Sequence, residues 1–295
     1  MNNTQTRWTV SLFVFVGLAY AVSWLIWLPQ LAEARGWTDA AAWKYLHLIG
    51  GIGPMVAGIT VTWRFSGAEA LRRLFRRSVA FRDWRWLAIG AFGPVLLFGG
   101  GVLVARVTDG AWPDLSRFGG TDEFASLGLA LYWLGNLIFY GFGEEVGWRG
   151  VLLPRLQTQM SALSATMIVA VVWTLWHLPL FWFVEGYTSM DLAGFGGLFF
   201  SFLTGAVIMT WLYNASGGNL LAVALFHASL DITINTPTST GGLPSGMGFL
   251  ITVAGLALLW RYGPKDLAPI PRQTENVTTV DAASIATRPA ERSLV

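Results

Sequence analysis

The stretch Leu127–Leu153, LGLALYWLGNLIFYGFGEEVGWRGVLL, is a long apolar run with only three charged side chains, Glu144, Glu145 and Arg149. A helix needs roughly 20 predominantly apolar residues to cross about 30 Å of hydrocarbon, so this run reads as a membrane span. An ionisable side chain at bilayer depth costs about 3 kcal/mol on insertion scales. Three of them within six residues therefore mark the first place to look for function. The rest of the chain agrees with this setting. Of its 295 residues, 54% are hydrophobic and 12% charged, against about 25% charge in a soluble domain. That much apolar surface excludes an ordinary soluble enzyme. The net charge of +2 gives no reason to expect a nucleic-acid partner. The absence of cysteine excludes disulfides, thiolate metal sites and thiol nucleophiles.

Eight apolar runs of spanning character follow one another: Thr9–Leu31, Tyr45–Trp63, Trp86–Val107, Leu127–Leu153, Ala162–Val184, Leu192–Tyr213, Asn219–Thr233 and Met247–Tyr262. The fold expected is all-α, a polytopic membrane protein of about eight transmembrane helices in one bundle, with residues 1–263 forming a single domain. The first run is too long and aromatic for a cleavable signal peptide. Residues 64–85 hold seven arginines and two acids, and the positive-inside rule makes this loop cytoplasmic. Within it Leu71, Leu74, Phe75 and Val79 share one helical face and Arg72, Arg73, Arg76 and Arg77 another, the pattern of a helix lying on anionic lipid headgroups. A solvated basic loop is the plainer alternative. An even helix count places both termini in the cytoplasm, with the plasma membrane of a prokaryote as the expected location. Residues 264–295, rich in Pro, Thr, Ser and Ala, read as a disordered tail.

Charges at membrane depth are few and fall on three runs: Gly143-Glu144-Glu145-Val146-Gly147-Trp148-Arg149, Trp173-Thr174-Leu175-Trp176-His177, and Phe226-His227-Ala228-Ser229-Leu230-Asp231. Glu145 and Arg149 are i,i+4 and should pair across one turn. Glu144, about 100° away, shares its face with Tyr140, Gly141, Gly147 and Trp148 and is free to face something else. His227 and Asp231 are again one turn apart on one face. Counting about 1.5 Å per residue from the outer boundary puts Glu144 near 13 Å, His177 near 10 Å and the His227/Asp231 pair at roughly 5–11 Å, so the four groups fit one layer. His47 has no evident partner and reads as an interfacial or bundle residue. A single buried histidine is usually a satisfied packing residue; two with a free glutamate and an aspartate are not so easily dismissed.

This set is suited to activating water. In one version Glu144 takes the proton, His177 orients the water, and His227 with Asp231 stabilises the oxyanion of a tetrahedral intermediate. In the other, His177, His227 and Asp231 hold a zinc ion and Glu144 is general base. The residues alone leave both open.

The ordered set Glu-Glu-x-x-x-Arg, aromatic-x-x-x-His and His-x-x-x-Asn/Asp on separate membrane helices resembles the CPBP intramembrane proteases, the Abi family, relatives of the type II CAAX prenyl endopeptidases. The resemblance covers about a hundred residues, from Gly135 to Asn235. It implies an eight-helix bundle in which Glu144 and His177 activate water, His227 and Asp231 form the oxyanion pocket, and Glu145, Arg149 and Trp173 support the site. It also implies a membrane-associated peptide or protein substrate, with a lipidated segment in range. Two residues depart from the pattern. Trp173 stands where the family usually has Phe, an exchange that keeps an aromatic wall. Asp231 stands where the eukaryotic branch has Asn, and an ionised Asp accepts hydrogen bonds without donating any. A proton-coupled transporter would also use an intramembrane Glu/His/Asp chain, and a non-catalytic scaffold or bacteriocin-immunity protein is within the family's range. No duplicated halves support the transporter.

Overall fold

The computed structural model describes residues 3–38, 43, 45–81 and 83–275, and among these every regular element is helical. The principal helices are α1 (Asn3–Ala34), α2 (Gly53–Val61), α3 (Gly67–Ser78), α4 (Trp84–Thr108), the composite α5 (Ala125–Gln157), α6 (Ala162–Trp176), α7 (Leu192–Ala215), α8 (Leu220–Ile234) and α9 (Gly242–Asp266). Among the described residues, seven helical stretches are long and apolar enough to cross a membrane. The seventh expected span, Asn219–Thr233, is α8 and has 15 residues, about 22 Å of helix. It is short because it is an inner helix: Leu220, Val223, Phe226 and His227 are all buried. Outward surfaces are apolar instead, with Phe13, Leu96, Phe249 and Trp260 exposed, the last at 87%. Such a surface needs lipid around it.

Side-chain caps place several helix starts. Ser161 accepts from the Ser164 amide, Asp191 from the Gly194 amide and Asn219 from the Ala222 amide, each satisfying a donor that the first turn leaves free. The α2 crossing ends in a π-helical turn, Thr62–Ser66. Gly67 follows at φ 83°, a conformation costly for a residue with a Cβ, and redirects the chain into α3. There Leu74 is buried and Arg72, Arg73 and Arg76 are exposed.

The central helix is α5, held between α2 and α8. Close approach depends on missing side chains. A Cβ on Gly141 would lie 2.6 Å from the Ala224 carbonyl oxygen, one on Gly143 2.7 Å from that of Gly51, and one on Gly147 would collide with Pro54. Small residues on both sides of α5 let backbones pack where lipid supplies no hydrophobic drive. Phe15, Trp148, Trp176 and Trp27 interlock, mostly edge to face.

The expected tail boundary at residue 264 is corrected. The α9 helix runs through a break at Gly263 to Asp266, and the following strap is docked. Arg272 Nε donates to the Gln157 carbonyl at 2.9 Å, Gln157 Nε2 to the Gln273 carbonyl at 2.6 Å, and buried Arg155 pairs with Glu275 at 2.8 Å. A polar segment orders here because buried Gln157, Asn214 and Arg155 need partners; its backbone meets the first two and the Glu275 carboxylate meets Arg155. Residues 276–295 lie outside the described residues.

Candidate active site

The α5 helix alternates between α and π winding. Two π segments, Asn136–Phe142 and Trp148–Leu152, flank the single α turn Gly143–Gly147. Inserted π turns are rare and cluster at functional sites. They also change the angular phase on either side of the turn. Trp148, expected beside Glu144, instead packs on Phe15 and Trp176. Within the α turn itself the 100° offset holds, and the two glutamates go to different partners.

Glu144, 3% exposed, receives a hydrogen bond on Oε2 from the indole Nε1 of Trp173 at 2.6 Å. Glu145 is fully buried. Its Oε1 accepts from Arg149 at 2.7 Å and also lies 2.7 Å from His227 Nδ1. The i,i+4 pair thus carries a third member from α8 that spacing could not supply. His227 Nε2 lies 3.6 Å from Asp231 Oδ2, so the imidazole sits between two carboxylates. His177 closes α6, and its Nδ1 is 2.8 Å from the Trp173 carbonyl oxygen. A carbonyl only accepts, so Nδ1 carries the proton and a neutral ring presents Nε2 as an acceptor.

Trp173 is the hub of this arrangement. Its ring meets His177 and His227 edge to face at 5.4 and 5.5 Å and stacks on Phe202 at 4.7 Å. The Arg149 guanidinium lies 5.2 Å from its centroid. The aromatic wall read from the sequence is therefore also a donor to Glu144.

The zinc alternative finds no preformed ligand cluster. Among the described residues no three His, Asp or Glu side chains are grouped so as to hold a metal ion. His177, His227 and Asp231 are not gathered as such a group, and no step below uses a metal.

His47 is corrected as well. Its Nδ1 lies 2.7 Å from Glu123 Oε1, and its ring is 5.9 Å from that of Tyr140. The partner comes from the loop before α5, 76 positions away in sequence, and local spacing carries no signal for it. Tyr140, Phe202 and Glu123 were not singled out for chemistry from the sequence. Only Tyr140 had a local signal, its place one turn before Glu144.

Residues 126–233 match the Rce1-like family model, described as type II CAAX prenyl endopeptidase Rce1-like. Over 119 residues the chain is 29% identical to the protein named CAAX prenyl protease 2 of Methanococcus maripaludis. The motif-bearing segment is CAAX-protease-like. The alignment covers 38% of this chain and 44% of that relative, so it spans under half of either. The family match contains Glu144, Glu145, Arg149, Trp173, His177, His227 and Asp231 together. The CAAX-protease-like segment thus coincides with the buried polar cluster and excludes α1, α3 and the docked strap.

Proposed function

We propose that this chain is an intramembrane endopeptidase of the CAAX prenyl protease 2 type, hydrolysing peptide bonds of membrane-associated substrates with a Glu144- and His177-activated water. The observation that carries this reading is the way Glu144 is held. Trp173 occupies Oε2 of a buried carboxylate at 2.6 Å, leaving Oε1 to take a proton. His177, fixed through its Nδ1, offers Nε2 to the same water. The water oxygen attacks the scissile carbonyl carbon as its proton passes to Glu144, and the carbonyl π pair moves onto oxygen. His227, fixed through its contact with Glu145, stabilises that oxygen. Collapse breaks the C–N bond, and Glu144 returns the proton to the leaving amine.

The substrate class in this reading is a peptide or protein with a lipidated or membrane-embedded segment near the cleaved bond. The α3 helix lies on anionic lipid of the cytoplasmic leaflet of a prokaryotic plasma membrane, offering the exposed Arg72, Arg73 and Arg76 to headgroups, with both termini on that side.

Purified protein in detergent, presented with a panel of quenched CAAX-like peptides, tests the reading. Glu144→Ala is expected to abolish cleavage, and a chelator to leave it unchanged. Cleavage surviving Glu144→Ala refutes the mechanism, while Glu144-dependent uptake into proteoliposomes without cleavage favours a carrier.

A further inference from the structure

Tyr140 lies on the π segment that leads into the Glu144 turn. Its ring packs among Leu48, Phe124, Tyr132 and Ile232 and against His47, and the residue is 8% exposed. Its hydroxyl is buried and has no hydrogen-bond partner among the described residues. The carboxylates that bear on it electrostatically come from three elements: Glu123 of the preceding loop, Asp231 of α8 and Glu144 of its own helix. Burying a hydroxyl without a partner destabilises a fold, whereas a phenylalanine of the same shape would carry no such cost. A stranded donor four residues before Glu144 on the same helix, packed with Ile232 next to Asp231, is therefore set to meet an acceptor that arrives with substrate.

The site needs such a donor. A tetrahedral intermediate concentrates negative charge on the former carbonyl oxygen, and stabilising it requires N–H or O–H groups aimed at that atom. An ionised Asp231 offers only acceptors, and the second oxygen of Glu145 is likewise an acceptor, without a partner among the described residues.

Resting on the peptidase reading above, we infer that Tyr140 is a further catalytic residue, whose phenolic O–H donates to the carbonyl oxygen of the scissile bond and to the oxyanion formed from it. As the water oxygen bonds to the carbonyl carbon, the displaced π pair settles on the oxygen held by Tyr140 and His227. When that pair reforms the carbonyl, the C–N bond breaks and the amine leaves with the proton that Glu144 had taken. Tyr140 keeps its own proton throughout, so it lowers the barrier without entering the proton balance.

The test uses the full chain in detergent with the quenched peptides. Tyr140→Phe keeps the ring and removes the donor. Expected are a fall in kcat of roughly 10²- to 10³-fold, little change in KM, and a melting temperature no lower than that of the parent. A peptidyl aldehyde, whose hydrate mimics the tetrahedral intermediate, should weaken in parallel with kcat. Adding Asp231→Asn to Tyr140→Phe supplies an amide donor and should restore part of the rate. A Tyr140→Phe protein within about threefold of parental kcat overturns the inference. So does one with a lowered melting temperature, since the hydroxyl would then be structural, or a double variant no faster than Tyr140→Phe. If the parent cleaves and Glu144→Ala does not, these failures fall on Tyr140 alone. A parent that cleaves nothing refutes the peptidase reading and this assignment with it.

Discussion

Trp173→Phe separates the two roles of the central indole. The resemblance by itself implies a silent change, because Phe is the family's usual residue there. The structure implies otherwise. The phenyl ring can still stack on Phe202, now 4.7 Å away, and meet the edges of both histidines, so most packing survives. What disappears is the 2.6 Å hydrogen bond to Glu144 Oε2. Bonds to charged groups are worth about 1.5–3 kcal/mol. If that energy is what orients the carboxylate, kcat should fall about ten- to 150-fold. Single-turnover cleavage of a quenched peptide measures the chemical step, and a thermal melt in the same detergent checks the packing. A Trp173→Phe protein with parental single-turnover rate and melting temperature refutes the claim that the indole N–H positions Glu144. Trp173→Ala is a poor substitute, since emptying so large a site costs about 3–5 kcal/mol of stability and confounds both readings.

Further outcomes follow from the same geometry. Arg149→Met should lower stability by about 3–5 kcal/mol, read as lost yield and an early melt, because it leaves buried Glu145 without its cation; unchanged melting would show the pair to be dispensable. Outside the bundle, Asp109 accepts from the Gly242 amide and the Thr108 hydroxyl, each at 2.8 Å. The first of these contributes most to holding its carboxyl below the ordinary 3.8. A lowered folded-state pKa gives stability that is present above about 3.8 and lost as pH falls through the folded value. Asp109→Asn should therefore lower the neutral plateau of the melting-temperature profile and flatten its acid end below about pH 4; an unaltered acid limb would refute the linkage.

The candidate site was legible in the sequence to the extent that its parts lie on one helix. The apolar run around Glu144, the i,i+4 relation of Glu145 with Arg149 and of His227 with Asp231, and the 100° divergence of the two glutamates all follow from helical geometry over one turn. The divergence of the glutamates survives because the turn Gly143–Gly147 is α-helical, the His227–Asp231 relation because α8 is, and the Glu145–Arg149 pair holds although Arg149 already lies in the π segment. For Trp148 the phase failed, since the π segment that begins with it has a different period and the indole packs on Phe15 and Trp176 instead.

What the sequence determined alone was the medium, the helical class and the identity of the rare intramembrane charges, because hydropathy and single-helix periodicity are local properties of the chain. Tertiary structure decided which of those charges meet. Glu144 finds Trp173 across 29 positions, His227 finds Glu145 across 82, and His47 finds Glu123 across 76. It also docked a polar strap against Gln157 and Arg155. Each of these contacts joins separate elements, and each depends on how closely glycine faces let the helices approach and on which buried polar groups required a partner.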